Sequence, residues 1–263
     1  MVANNLTFLI EESGEIKFDG FQQYKQLLIN QFGSIEQAIA QNTIFPPVEI
    51  AKLQTWKLFP AVRNTSKFDG DRGSVSNFNV EAKFIEQYDQ KADIKVILDD
   101  NAIPHHLFCS CFKAERIVKS TTLNHIYKSA NNGPYYHSNL QNLCLTPFYL
   151  AKLTDADAGI KKLLRYRIQE KYGFAPQGEI EKPANYDDLM WLDECDIYKQ
   201  ICCNVQQFVK RIRNIIINKD KMIKENRIAK ALCLGCQQFN NICKQIFIDN
   251  DHSFKTFCDE NNK

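Results

Sequence analysis

His125 has the setting that most favours chemistry in this sequence. It follows Asn124 in a stretch that predicts a strand, a glycine-containing loop and a second short strand. A helix could then start at Thr146, with Thr146 as N-cap and Pro147 at the first helical position. This order would place His125 at the end of the first strand, facing the start of the helix. A histidine there can accept a proton from water, while a neighbouring metal ion polarises a phosphate.

The spacing around His125 resembles that of the HNH, or ββα-metal, nuclease family. The family pattern has Asp-His-Ile, a glycine eight residues after the His, Asn-Leu fourteen after it and a Cys five beyond the Asn. At those separations this sequence carries His125, Gly133, Asn139-Leu140 and Cys144. The resemblance implies that His125 is the general base and that Asn139 fixes the loop and the base. It also implies that Asn124 stands at the first metal-binding position.

One metal position departs from the family pattern. Phe148 stands where the family carries its last His or Asn ligand, and a phenylalanine cannot bind a metal. His137, Asp155 or Asp157 could supply the missing ligand, and we take His137, with Asn124, as the candidate metal ligands. The ion implied by the resemblance is Mg²⁺ or Mn²⁺.

The family's optional zinc site is altered as well. It uses two Cys-x-x-Cys pairs, whereas here the first pair is the tighter Cys109-Ser110-Cys111 and in the second Cys144 is followed by Pro147. Tetrahedral zinc by this route would need His105 or His106 as a substitute ligand.

Further cysteines lie in the last third of the chain: Cys195, Cys202, Cys203, Cys233, Cys236 and Cys243. Cys195 and Cys202, like Cys236 and Cys243, are one heptad apart, so these thiols would lie along helix faces and pack as small apolar residues. Zinc binding is the alternative. We expect reduced thiols throughout and no structural disulfides.

A second catalytic pattern lies upstream of His125. Asp71 is followed ten residues later by Glu81-Ala82-Lys83. This fits the loose Asp…Glu-x-Lys arrangement of restriction-type nucleases, in which two carboxylates hold Mg²⁺ and a lysine aids the water. The same segment also fits a helix on which Glu81 and Lys83 are solvated. The HNH-like spacings themselves could come from a hairpin that holds a satisfied histidine.

The distribution of charge favours a polyanionic partner more than the total does. The chain has 33 Lys and Arg against 31 Asp and Glu. Between positions 199 and 230, however, only Asp220 and Glu225 oppose nine basic residues, namely Lys199, Lys210, Arg211, Arg213, Lys219, Lys221, Lys224, Arg227 and Lys230. A second basic set follows the HNH-like stretch: Lys161, Lys162, Arg165, Arg167 and Lys171. Such flanks suit phosphate contacts, although solvated helix faces are their usual meaning.

The elements that would carry these residues predict an α+β fold in three parts. Residues 1–104 form an N-terminal mixed α/β region, which begins with two short strands and a helix interrupted near Gly33, with Ser34 as N-cap. Residues 105–174 form the ββα module. After a linker rich in proline and glycine, residues 184–263 form a helical C-terminal domain, because almost every apolar position there follows a 3.6-residue period.

The compartment follows from what the sequence lacks. No run reaches the roughly 18 apolar residues of a membrane helix, and the start Met1–Asn5 has neither the basic nor the apolar region of a signal peptide. We therefore expect a cytoplasmic protein without a membrane partner. The predicted function is metal-dependent endonuclease cleavage of DNA, with DNA favoured over RNA. The alternative is a non-catalytic nucleic-acid-binding or protein-interaction module with basic helices.

Overall fold

The N-terminal region begins with a short hairpin and four helices. The computed structural model describes residues 9–10, 16–17, 20–113, 120–128, 133–217 and 227–248. β1 (Leu9–Ile10) pairs antiparallel with β2 (Ile16–Lys17). The helices are α1 (Gly20–Phe32), α2 (Ile35–Asn42), α3 (Val48–Ala51) and α4 (Thr55–Leu58). The predicted interruption is confirmed, because Gly33 ends α1 with φ of 84° and the Ser34 hydroxyl accepts a hydrogen bond from Gln37 N at 2.9 Å.

A three-stranded sheet forms the centre of this region. β5 (Asp93–Asp99) lies between β3 (Ala61–Arg63), which is parallel to it, and β4 (Val75–Asn79), which is antiparallel. A 3-10 turn at Ala82–Tyr88 links β4 to β5. β5 ends at Asp99, whose carboxylate accepts hydrogen bonds from the N–H groups of Asn101 and Ile103, both at 3.0 Å. Asp99 therefore caps the helix that follows, α5 (Ala102–Ser110).

The hairpin that carries His125 lies next along the chain. β6 (Thr121–His125) pairs antiparallel with β7 (Leu143–Pro147), and the connection contains the short helix α6 (Pro134–His137). α7 (Phe148–Ala156) follows β7 directly, so the predicted strand, loop, strand and helix occur in order. The predicted helix start is wrong by one residue, because Pro147 rather than Thr146 is the N-cap of α7. Thr146 and Pro147 stay in β7, because the ladder continues until Phe148 N donates to Ser120 O at 2.7 Å.

The remaining elements are helical. They are α8 (Ala158–Tyr172), α9 (Asp196–Ile201), α10 (Val205–Ile217), α11 (Arg227–Gln238) and α12 (Asn240–Cys243), with a π-helical turn at Lys244–Ile248. α11 packs closely on α4, since a Cβ at Gly235 would lie 2.1 Å from the carbonyl oxygen of Leu58. One apolar core runs from α1 to the π-helical turn. The domain limits at 104, 174 and 184 stay predictions.

The expectation of no structural disulfides is wrong, because Cys236 is bonded to Cys243. In a continuous helix, residues seven apart would be separated by about 10 Å. Here α11 ends at Gln238 and the backbone turns at Phe239, so the two Cα atoms are 5.3 Å apart. Free thiols in the described ranges include those of Cys111, Cys144, Cys195, Cys202, Cys203 and Cys233. Within those same ranges, no helix has both the length and the apolar character to cross a membrane.

Candidate functional site

His125, the last residue of β6, stacks on a second histidine. Its ring lies parallel to that of His137 in α6, with the centroids 5.2 Å apart. The Nε2 atom of His125 lies 3.0 Å from the carbonyl oxygen of His137. Because a carbonyl oxygen can only accept, this contact places the proton on Nε2 and leaves the lone pair of the neutral ring on Nδ1. Backbone and ring together fix the orientation of His125.

Asp99 contacts the histidine stack through His137. Its Oδ2 atom lies 3.3 Å from Nε2 of His137, and both side chains are fully buried. Burial alone would raise the pKa of Asp99. The hydrogen bond and charge of His137, together with the backbone N–H of Ile103, instead hold that pKa below its usual value. The end of β5 and the end of β6 are thus joined by a carboxylate and two imidazoles.

The environment keeps His125 neutral. Burial and then the neighbouring His137 lower its pKa to about 3, with a smaller contribution from the charge of Arg63. An oriented, neutral imidazole can accept a proton. A pKa this far below neutral makes it a weak base, however, since general bases work best with a pKa near the working pH.

Three of the described arginines lie near Asp99 and Asp100. Nη1 of Arg227 lies 2.8 Å from one carboxylate oxygen of Asp100, and Nη1 of Arg72 lies 2.9 Å from the other. Arg227 also approaches Asp99 at 3.5 Å. Arg63, at the end of β3, is exposed. Arg72 and Arg227 are thus already paired with Asp100. The exposed Arg63 has the charge that suits an anion.

Asn124 points the other way. Successive residues of a strand face opposite sides, and its amide nitrogen donates to Thr146 Oγ1 at 2.8 Å and to Thr122 O at 3.1 Å. Its amide oxygen accepts from Thr154 Oγ1 of α7 at 3.3 Å. The side chain is buried and joins β6, β7 and α7.

The residues expected to bind Mg²⁺ or Mn²⁺ do not fit such an ion. Asn124 and His137 lie on opposite faces of the β6–β7 hairpin, and each already has its own partners. Phe148 has no ligand atom and is 73% exposed. Asp157 binds Lys25 at 2.6 Å and caps α8, while Asp155 is exposed on α7. Among the described residues, no three His, Cys, Asp or Glu side chains are grouped so that they could hold a metal.

Two asparagines order the loop after β6. Asn139, which is buried, accepts a hydrogen bond from Gln141 N at 3.1 Å and so caps a 3-10 turn. Asn142 does more. Its amide donates to the carbonyls of Tyr127 at 2.9 Å and Tyr136 at 2.7 Å, and its oxygen accepts from Tyr127 N at 2.8 Å. Sequence reasoning missed Asn142 and Asp99. An acidic residue directly after an apolar strand was the available signal for Asp99.

The fold does not bring Asp71 and Glu81 of the restriction-type pattern close together. The segment with Asp71 adjoins one end of β4, where Gly73 N binds Leu98 O, and Glu81 follows the other end. A strand of five residues spans about 16 Å, which is too far for two carboxylates to share one ion. Glu81 instead pairs with Lys83 at 2.8 Å, and both are exposed. This segment is a solvated turn.

The basic set on α8 is largely neutralised. Arg167 contacts Asp193 and Glu194, both at 2.8 Å, and Lys171 lies 2.5 Å from Asp193. Lys162 pairs with Glu181 at 3.0 Å. In the C-terminal set, Lys199 pairs with Asp196, Arg227 contacts Asp99 and Asp100, and Lys219, Lys221 and Lys224 lie outside the described residues. Three of the five basic side chains on α8 are therefore already paired with carboxylates.

Exposed aromatic side chains mark the start of α7 instead. Phe148 is 73% exposed and Tyr149 is 47% exposed. Lys152 is exposed one helical turn after Phe148, and so lies on the same face. We call Phe148, Tyr149 and Lys152 the α7 surface. It lies at the opposite end of the hairpin from His125, because Thr121 pairs with Pro147 and His125 with Leu143.

Comparison with protein-family models, with curated proteins and with solved structures found no match to this chain. The resemblance to HNH nucleases therefore depends on the residue spacings alone.

Proposed function

We propose that this chain is a nucleic-acid-binding protein whose ββα module supplies the contact surface without metal-assisted cleavage. One observation carries the proposal. The hairpin and helix form around His125, while the last metal position holds Phe148 with 73% of its surface exposed. A large apolar side chain gains nothing from remaining in water, whereas a base stacked on its ring is worth about 1–3 kcal/mol.

The α7 surface has the composition of a single-strand contact. An aromatic ring stacks on any base, and a lysine one turn away can reach the adjoining phosphate. Lys152 is exposed, and so is Asp155 on the same helix, which keeps the electrostatic attraction modest. We therefore expect single-stranded DNA to bind more tightly than duplex, whose bases are already stacked.

Fluorescence anisotropy of a labelled single-stranded 20-mer tests the proposal. Phe148→Ala should raise Kd roughly 5- to 150-fold, the equivalent of one stacked base. Ile197→Ala is the matched control, because Ile197 is 75% exposed on α9, away from the module, and its loss should leave Kd unchanged. Equal Kd values for wild type and Phe148→Ala, or no saturable binding, would refute the proposal.

Salt dependence locates the cationic contact. Lys152→Gln should reduce the slope of log K against log salt by about 0.7, the value for one phosphate contact on a single strand. Lys210→Gln changes an equally exposed lysine on α10 and should leave the slope unchanged. If only Lys210→Gln flattens the slope, the basic C-terminal helices form the interface.

Hydrolysis of DNA phosphodiester bonds is the second candidate function, and the fixed orientation of His125 favours it. A neutral ring with its lone pair on Nδ1 could take a proton from water beside the exposed Arg63. Under this alternative, His125→Ala should lower plasmid nicking by roughly 10² to 10⁴. Glu81→Ala should do little, because Glu81 is exposed and pairs with Lys83.

A further inference from the structure

Two cysteines face each other across a short backbone pairing outside the candidate site. Phe112, just after α5, forms an antiparallel bridge with Cys202, just after α9. Lys113 N donates to Ile201 O and Cys203 N donates to Cys111 O, both at 2.8 Å. Cys111 and Cys203 are therefore directly opposite. One N–H···O bond joins the two residues, and opposed residues of an antiparallel pairing have Cα atoms roughly 4.5–5.5 Å apart, which is within the range that a disulfide spans.

A cavity gives small molecules access to this pair. Cys111 is fully buried, whereas Cys203 is 5% exposed and lines a cavity of about 650 Å³. Among the residues that the structure describes, Lys113, Lys199 and one acid, Glu49, also line it. Its volume is in the range of small-molecule sites. Its lysine side chains favour an anionic ligand.

We propose that Cys111 and Cys203 are a modification site, which a low-molecular-weight disulfide entering the cavity converts to an intramolecular disulfide. Each thiol reacts after losing its proton. The Cys203 thiolate attacks one sulfur of the small disulfide, forms a mixed disulfide and expels one thiolate. The Cys111 thiolate then attacks the Cys203 sulfur, closes the protein disulfide and expels the second thiolate. Two protein thiols are oxidised, and one small disulfide is reduced to two small thiols.

Burial and nearby charges determine the rate of this reaction through the pKa values of the two thiols. Burial raises the pKa of Cys203, while Arg211 and Lys113 oppose that rise. Burial raises the pKa of Cys111 further, and Cys203 adds to the effect. Few thiolates are present at neutral pH, so the exchange is slow and accelerates at alkaline pH.

The new bond would stabilise the packing of the C-terminal helices on the rest of the chain. It would close a loop of about ninety residues, from the end of α5 to the start of α10, and should raise Tm by roughly 5 to 15 °C. The bond would also constrain α5, the helix that is capped by Asp99, the partner of His137.

The test treats the full chain with oxidised glutathione at pH 8, followed by alkylation, digestion and mass spectrometry. Wild type should lose two free thiols and yield a peptide pair linked through Cys111 and Cys203. Cys111→Ser should retain glutathione on Cys203, because the thiol opposite Cys203 is no longer present to resolve the mixed disulfide. Cys195→Ser, which removes an exposed cysteine outside the pair, should behave as wild type.

Several outcomes would overturn the proposal. They are persistent glutathione on Cys203 in wild type, a cross-link from Cys111 to another cysteine, and stoichiometric zinc on untreated protein that protects these thiols. If Cys111→Ser does not fold, Cys111→Ala provides the same trap. The wild-type peptide map decides the question without either variant.

Discussion

Two buried polar clusters in this protein differ in how completely they are neutralised. Around Arg167, both carboxylate oxygens of Asp193 have a cationic partner, Arg167 on one side and Lys171 on the other. Burial alone would lower the pKa of Arg167, but Asp193 and Tyr186 raise it above its usual value. This cluster joins α8 to the segment before α9, and its charges are used up within the protein.

In the cluster around His137, the charged groups are less completely paired. Within the described residues, His137 Nδ1 and Asp99 Oδ1 have no hydrogen-bond partner, although Arg227 lies 3.5 Å from the latter. Its outermost member, His125, is partly exposed. The comparison teaches that burial and charge alone do not mark a functional site. Among the described side chains, Arg167 Nε also lacks a hydrogen-bond partner, so the two clusters differ in the ion pairs that surround Asp193 and in the partly exposed ring of His125.

The largest effect should come from breaking the closed cluster. Arg167→Met leaves the buried Asp193 with Lys171 alone, so the free energy of unfolding should fall by about 3–5 kcal/mol in urea titrations. Lys162→Met on the same helix removes an exposed pair with Glu181 and should cost less than about 1 kcal/mol. Equal losses would mean that the Arg167 cluster is not a structural centre.

The next effect is a pH dependence from the open cluster. The pKa of His125 is about 3 in the folded protein and about 6.5 in the unfolded chain. Between these values the unfolded chain binds the proton, so stability should fall as pH falls, by at most about 1.4 kcal/mol per pH unit. His125→Gln should remove this slope between pH 4.5 and 6.5.

The variant is needed because wild type alone is ambiguous. Burial also lowers the pKa of His105, which adds a slope of the same sign. The lowered pKa of Asp99 acts below about pH 4, where its contribution to stability is lost as the carboxylate is protonated. A His125→Gln slope equal to that of wild type would contradict the account of His125.

The smallest effect concerns Asp99. Asp99→Asn keeps an oxygen that can accept from the cap of α5 but removes the charge beside His137, so unfolding free energy should fall by about 1–2 kcal/mol. Asp100→Asn is the matched control, because Asp100 is exposed and contacts Arg72 and Arg227 instead. A larger loss for Asp100→Asn would place the structural carboxylate at position 100.

Local pattern was enough to predict the hairpin and the position of His125. A glycine in the loop and two short apolar runs favour two antiparallel strands, and that pairing places His125 at a strand end. The partner of His137 was not predictable in this way. Asp99 arrives through β5, in the middle of a different sheet, and no local pattern relates the two sheets.

Other errors had different origins. The Asp71 and Glu81 spacing did not reveal that β4 would separate them. The Cys236–Cys243 disulfide depends on a helix end at Gln238 that neither glycine nor proline signals. The prediction of a basic surface on α8 did not take Asp193 into account, because Asp193 comes from a later segment. In the first two cases local strand and helix geometry decided the outcome, and in the third a long-range contact did.

The central claim is that the module binds a strand without cutting it. The most direct measurement incubates an end-labelled single-stranded 20-mer with saturating wild-type protein and Mn²⁺, then resolves the strand by denaturing electrophoresis. The account predicts binding by anisotropy in the same mixture and a strand of full length. Shortened strands that disappear on adding EDTA or in His125→Ala would contradict it and assign the hydrolytic role to His125.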